Sequence, residues 1–303
     1  MLTGCMQSVR DASRHIVNAN RATFPGGPLT VVTFNMLHGF GNRLNDQTLD
    51  ERLVLLRDGI LSARPDIVIL QEASLTPGRH GNVVDTLRES LNQARGTADL
   101  YNSAWAMANG SVIIRFFEGS AILSRFEILT AETLVYRAQA LLPPEHRVAV
   151  RVRVRGARAD LAVIGTHLTN TEARRRGALV RTLQAQELAT WAGGAAAHTI
   201  IGGDFNAAPG SLPILALIGV GVRDAWVSAA GKSAAGLGRT GLNGTVTDPN
   251  DSADERIDYI FLLGDGAEVE TVEPFLDRPS PREAGGVLWA SDHVGVLARI
   301  RVR

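Results

Sequence analysis

Six residues of the kind that hold cations and move protons stand where apolar runs end. Glu72 follows the run 66–70, His167 follows 161–165, Asp204 and Asn206 follow 198–201, and Asn35 and Asp292 sit at the ends of two further strands. Ligands of α/β sheets collect at such strand ends. Carboxylates, amides and imidazoles without a thiolate form a hard donor set that suits Mg²⁺ or Mn²⁺ better than zinc. The single cysteine, Cys5, excludes a disulfide framework and a cysteine-based zinc site. Taken singly, each residue also has an ordinary reading: a glutamate after a strand is commonly solvated, and a histidine at a strand end is commonly a hydrogen-bonded prop.

The elements that must position these groups alternate along the chain. Leu29 to Leu37 is β-branched and aromatic, which predicts a strand, and Leu49, Leu53, Leu56 and Ile60 follow at helical spacing until Pro65 stops them. The run 66–70 is continuously apolar, as in a strand buried on both faces. Residues 74–118 have mixed character, and 120–129 reads as a strand with a polar break at Ser124-Arg125. Between 147 and 165 a hairpin is expected, with Val148, Val150, Val152 and Val154 on one face and an arginine row, Arg147, Arg151, Arg153 and Arg155, on a solvated face. A long helix is expected over 171–191, capped by Thr169 or Thr171, and then a buried strand at 198–201. A Gly-, Ala- and Asn-rich loop spans 229–254, and strands over 256–263 and 294–302 close a chain without visible internal repeat. One mixed α/β domain is the economical reading.

Six motifs, in order, go further: TFNMLHG (33–39), PDIVILQE (65–72), GTHL (165–168), GDFNAAP (203–209), RIDYIF (256–261) and SDH (291–293). Together they resemble the motifs of the endonuclease/exonuclease/phosphatase superfamily over residues 29 to 302. The resemblance implies a four-layer αββα sandwich, two mixed sheets face to face with helices outside, and Mg²⁺-dependent hydrolysis of a phosphoester. It implies Glu72 as the principal metal ligand, with Asn35 and Asp292 completing the metal neighbourhood. It further implies that Asp204 orients or deprotonates water and that Asn206 donates to the phosphate. His293 would face the phosphorus with Asp258 fixing its tautomer, and His167 would contact a phosphate oxygen or the leaving group. For His38, substrate contact and loop packing stand equal. Asp292 and His293 are neighbours, so in a straight strand they would face opposite sides; both can serve one site only if the backbone turns there.

Charge narrows the partner. Lys+Arg 31 balances Asp+Glu 31, and Lys232 is the sole lysine, so no net field draws the chain to a polyanion. A phosphodiesterase of unassigned substrate is therefore expected ahead of a secreted or surface-bound nuclease, and both ahead of a catalytically inactive phosphate-binding module. No apolar run is long enough to span a bilayer, and a monomer is expected. Residues 1–28 read as a polar tether before a catalytic domain at 29–303. Leu2-Thr3-Gly4-Cys5 resembles a lipobox, so a start lying upstream would make an extracytoplasmic lipoprotein anchored at Cys5, and otherwise a cytoplasmic protein is expected.

Overall fold

The computed structural model describes residues 8–11, 15–38, 43–75, 81–96, 99–111, 116–141, 144–171, 174–175, 178–195, 198–229, 240–242 and 245–303. Cys5, Gly39 and Lys232 lie outside the described residues. In chain order the main elements begin with β1 (Ser8–Asp11), β2 (Gly27–Asn35), α1 (Arg43–Ala63), β3 (Ile67–Ser74), α2 (Val83–Arg95), β4 (Asn102–Ser111), β5 (Phe116–Ser124) and β6 (Ile128–Val135). They continue with β7 (Val148–Val154), β8 (Leu161–His167), α3 (Val180–Ala192), β9 (Thr199–Asp204), α4 (Leu212–Ile218), β10 (Arg223–Asp224), α5 (Ala225–Ser228), β11 (Asp258–Leu263), β12 (Ala267–Phe275) and β13 (Gly295–Val302). Among the described residues no helix is long and apolar enough to cross a membrane.

The strands form a six-stranded sheet of order β12-β13-β2-β3-β5-β4 and a seven-stranded sheet of order β1-β6-β7-β8-β9-β11-β10. Among the described strands only β2 with β3 and β8 with β9 run parallel, and each of those pairs is joined through a helix, α1 or α3, as a parallel connection requires. Side-chain alternation sorts the apolar residues into three layers. Val31, Ile67, Ile69, Ile122, Val150, Val152, Val163, Ile200 and Ile260 pack between the sheets. Val32, Phe34, Val68 and Leu70 turn outward to meet Leu56 and Ile60 of α1 and Leu87 and Leu91 of α2. Ile164, Ile201 and Phe261 meet Leu188 and Trp191 of α3 and Leu217 of α4 on the far side. The αββα sandwich implied by the motifs is thus the observed architecture. Gly165 and Gly202 let the sheets approach, because a Cβ there would fall 2.9 and 2.6 Å from Ile69 of the opposite sheet.

Several local expectations change. The helix expected over 171–191 begins only at Val180, because Arg174–Arg175 pair with Ala178–Leu179 as a short antiparallel ladder and Leu179 occupies the N-cap without a side-chain cap. The hydroxyl of Thr169 is used elsewhere, by Glu145 and Thr171. The mixed stretch 74–118 holds α2, capped by Asn82 through Val84 N at 3.0 Å, followed by β4 and the start of β5. Helix α1 starts at Arg43, ahead of its first apolar repeat. The arginine row is not uniformly solvated: α3 covers Arg151, which lies 4.3 Å over the Trp191 ring, and Arg147 is buried at the other end of the strand beside His167 and Glu145. Packing also extends N-terminal of residue 29. Phe24 belongs to the inter-sheet core, Val17 bridges to Ser103, and β1 adds an edge strand to the second sheet along β6.

Candidate active site

Strand parity brings the polar residues together. Asn35 shares its face with Val31, His167 with Val163, Asp204 with Ile200, and Asp258 with Ile260, and all four apolar partners point between the sheets. The polar residues therefore continue the inter-sheet layer beyond its apolar part, at one open end of the sandwich. Glu72 would point outward with Leu70 in a straight strand. A register shift between Leu70 and Ala73, with Glu72 in the left-handed region at φ 53°, turns it into the same end. Backbone bending also satisfies the demand on Asp292 and His293, which lie in a bent segment before β13 and not in a strand.

Asn35 sits at the centre, with its Nδ2 donating to Glu72 Oε1 at 3.1 Å and to Asp204 Oδ2 at 3.2 Å. His38 Nε2 lies 3.4 Å from Glu72 Oε2 and also 3.4 Å from Glu118 Oε2. These two carboxyls are driven apart. Burial raises Glu72, but His38, Arg147 and the Asn35 hydrogen bond outweigh it and hold the group below the usual carboxylate range. Burial and then the Glu72 charge raise Glu118. Asp292 is likewise raised, first by burial and then by Glu72, against the pull of His293.

On the other side, His293 Nδ1 lies 2.8 Å from Asp258 Oδ2, and its Nε2 lies 3.7 Å from Asp204 Oδ2. Burial alone would lower this imidazole. Asp258 and Asp204 outweigh burial and hold the ring well above its ordinary value, so it is cationic at neutral pH. Asp204 is raised to about 7, by burial and then by Asp258. Thr240 fixes the pair from behind: its Oγ1 accepts from Asp258 N at 3.1 Å and its carbonyl accepts from Val294 N at 2.7 Å.

His167 Nε2 lies 3.3 Å from Asp204 Oδ2 and 3.1 Å from Asn206 Nδ2, and Asn206, itself at φ 48°, also donates to Leu168 O at 3.0 Å. Behind the ring, Arg147 Nη1 lies 2.8 Å from His167 Nδ1, and its other edge pairs with Glu145. Burial and then Arg147 lower His167 well below its ordinary value, so it is neutral. Glu72, Glu118, Arg147 and His167 line a cavity of about 10 Å³, room for one water.

The nine residues singled out in the sequence thus gather at one end of the fold, but not in the grouping expected. Among the described residues, two trios of carboxylates and imidazoles bring their ligand atoms within 4.8 Å of one another: His38 with Glu72 and Glu118, and Asp204 with Asp258 and His293. Asp292 joins neither group. Sequence reasoning missed Glu118 and Arg147. Glu118 stands directly before the run GSAILSR, and Arg147 directly precedes the alternating valine strand at its site-facing end. The donor set fits a hard divalent cation: carboxylates, an amide and an imidazole. Glu118 Oε2 and Asp258 Oδ1 are moreover buried without a hydrogen-bond partner.

A profile of the Endonuclease/Exonuclease/phosphatase family matches residues 32–293. No curated protein matches the chain. An endonuclease/exonuclease/phosphatase family protein from Leptotrichia buccalis superposes with a TM-score of 0.65 at 20% identity, covering 90% of this chain and 99% of that one. D. rerio TDP2 complexed with single strand DNA product gives a TM-score of 0.65 at 20% identity, over 91% and 99% of the two chains. The mannosyl-6-phosphatase Bt3783 of Bacteroides thetaiotaomicron gives a TM-score of 0.61 at 17% identity, over 90% and 99%. Identities this low establish a shared fold.

Proposed function

The chain belongs to the endonuclease/exonuclease/phosphatase family, and from that premise we propose that it is a phosphodiesterase using Mg²⁺ or Mn²⁺. The observation that carries this reading is the convergence of an Asp258-paired His293 and an Asp204 of raised proton affinity beside Glu72. A phosphodiester repels nucleophiles with its own charge, so its oxygens need neutralising and water must be placed in line. Glu72, Asn35 and Asp292 would hold the divalent cation, which when bound supplies positive charge to the phosphate oxygens.

The remaining work falls to this chain's own groups. Asp204, with a proton affinity near neutrality, orients water and takes its proton. His293, kept cationic by Asp258, offers Nε2–H to a phosphate oxygen. His167 donates from Nε2 to a phosphate oxygen or to the leaving group, with Asn206 donating beside it. His38 joins the substrate-facing rim next to Glu72.

The test is hydrolysis of a panel by the full chain, with Mg²⁺ or Mn²⁺ and with excess EDTA. The panel holds bis(p-nitrophenyl) phosphate, p-nitrophenyl phosphate, plasmid DNA, a single-stranded oligonucleotide, sphingomyelin and inositol phosphates. The expected result is metal-dependent cleavage of diesters ahead of monoesters. Cleavage confined to the nucleic acids would make it a nuclease, and phosphate binding without turnover on any substrate would make it a binding module.

A further inference from the structure

The buried face of α1 carries Leu49, Leu56 and Ile60, and at the position between the first two it carries Arg52, which is 1% exposed. No ion pair within 4.0 Å serves this guanidinium among the described residues. Its donors go to the backbone instead. Nη1 donates to Met36 O at 2.6 Å and reaches Ala290 O at 3.5 Å, Nη2 donates to Asn45 O at 3.2 Å, and Nε donates to Thr48 Oγ1 at 3.3 Å. Met36 directly follows Asn35, and Ala290 directly precedes Ser291-Asp292. One guanidinium therefore ties together the two segments, from opposite ends of the chain, that carry Asn35 and Asp292.

Such a group is expensive in a core. A buried cation without a contacting carboxylate loses its hydration and regains only part of it from carbonyls. Burial lowers Arg52 to about 10, and the charges of Asp292 and Glu72 act against that loss. An apolar residue would fill the same volume without that cost but would leave the Met36 and Ala290 carbonyls unbridged. Lysine would keep the charge but not the planar fork that reaches several carbonyls at once.

We propose that Arg52 is a positioning residue of the metal site, setting the separation of Asn35 and Asp292 by bridging the carbonyls of Met36 and Ala290. This rests on the reading that Asn35, Glu72 and Asp292 hold a divalent cation. A residue that only supported the fold would change the melting temperature and leave cation affinity alone.

The experiment titrates Mn²⁺ into the full-length protein without substrate, following free Mn²⁺ by electron paramagnetic resonance. Wild type, Arg52→Lys, Arg52→Met and Glu72→Gln are compared, with hydrolysis of bis(p-nitrophenyl) phosphate measured against Mn²⁺ concentration. Residues that orient metal ligands from behind are worth roughly 10–100-fold in affinity, so Arg52→Lys is expected to bind Mn²⁺ at least about tenfold more weakly. Its activity should climb back toward the wild-type rate as Mn²⁺ is raised. Wild-type affinity in a folded Arg52→Lys, or a loss of activity that Mn²⁺ does not rescue, would overturn the inference. Should neither Arg52 variant fold, Thr48→Val frees one edge of the guanidinium from outside the site. It is then expected to weaken Mn²⁺ binding, and unaltered affinity would overturn the inference equally. Failure of the wild type itself to bind Mn²⁺ would sink the reading of the whole site, whereas wild-type binding with an indifferent Arg52→Lys sinks this inference alone.

Discussion

Arg147 Nη1 lies 2.8 Å from His167 Nδ1, and because a guanidinium can only donate, the imidazole accepts there and carries its one proton on Nε2, facing Asp204 Oδ2 at 3.3 Å, while the neighbouring Asn206 amide donates to Leu168 O. The tautomer is therefore set from behind, by a cation instead of the carboxylate or carbonyl more usual in that place. The imidazole ¹⁵N spectrum of His167 is expected to show a neutral, Nε2-protonated ring at neutral pH. Arg147→Met should release it to a mixture of tautomers. A cationic or Nδ1-protonated ring in the wild type would refute the assignment.

Asp258 and His293 should act as one unit, given the 2.8 Å contact between them. Replacing both is expected to cost little more in kcat than replacing His293 alone, because effects within one unit are not additive. Additive losses in the double variant would show that they work separately. The pH profile supplies a second reading. Asp258 is the leading influence that raises His293, so Asp258→Asn should move the alkaline limb of kcat/KM toward lower pH.

Asp204 should produce the acid limb. Its carboxyl is raised to about 7, so water loses its proton acceptor as pH falls through that value, and a bound cation should draw the limb lower. The same shift has a sign for stability. A carboxyl raised in the folded state destabilises the fold increasingly as pH climbs from its ordinary value of 3.8 to about 7, and steadily above that. Asp204→Asn is expected to melt higher than wild type at pH above about 7 while losing turnover. A lower melting temperature there would contradict the burial argument.

Glu72 and Glu118 are close neighbours whose proton affinities are pushed in opposite directions, so their amide variants should differ. Glu72→Gln removes a charge the site uses and should lower turnover by about two orders of magnitude or more while remaining folded. Glu118→Gln imitates the protonated form toward which burial and the Glu72 charge push this carboxyl, and it should keep most activity. Equal losses in steady-state assays of the two variants would show that Glu118 works as an anion.

Much of this was legible in the sequence because period and position coincide. The apolar runs 66–70 and 161–165 are strands, their alternation places Asn35, His167, Asp204 and Asp258 on one face, and the superfamily resemblance is borne out by the family match. What escaped depends on tertiary covering. Arg147 looks like the first member of a solvated row, and only the strand's burial at its site-facing end separates it from Arg153 and Arg155. Arg52 carried a usable signal, a charge at an apolar helical position. The register shift at Glu72 carried none, since a bulge is a property of the pairing between two strands and not of either run of residues. Helix α3 was misjudged at its start because Thr169 and Thr171 have the right chemistry for a cap but spend it on Glu145 and each other.

The strand orders have a consequence for how the site is assembled. Leaving aside β1, the second sheet reads β6-β7-β8-β9-β11-β10 and the first reads β12-β13-β2-β3-β5-β4, with the same sequence of parallel and antiparallel neighbours. In each, a helix joins the parallel pair, and the chain then visits the edge strand before the inner one. Asn35 and His167 occupy matching places, each ending its strand, with Met36 N donating to Gln71 O at 3.0 Å and Leu168 N donating to Asp204 O at 2.9 Å. The two sheets thus follow one plan, and the polar end of the sandwich lies where they meet, Asn35 and Glu72 coming from one and His167 and Asp204 from the other. Val302 is the register partner of Gly27, so the first sheet is closed by the last hairpin of the chain. The two sheets thus repeat one strand order, and the chemistry belongs to their pairing and to neither alone.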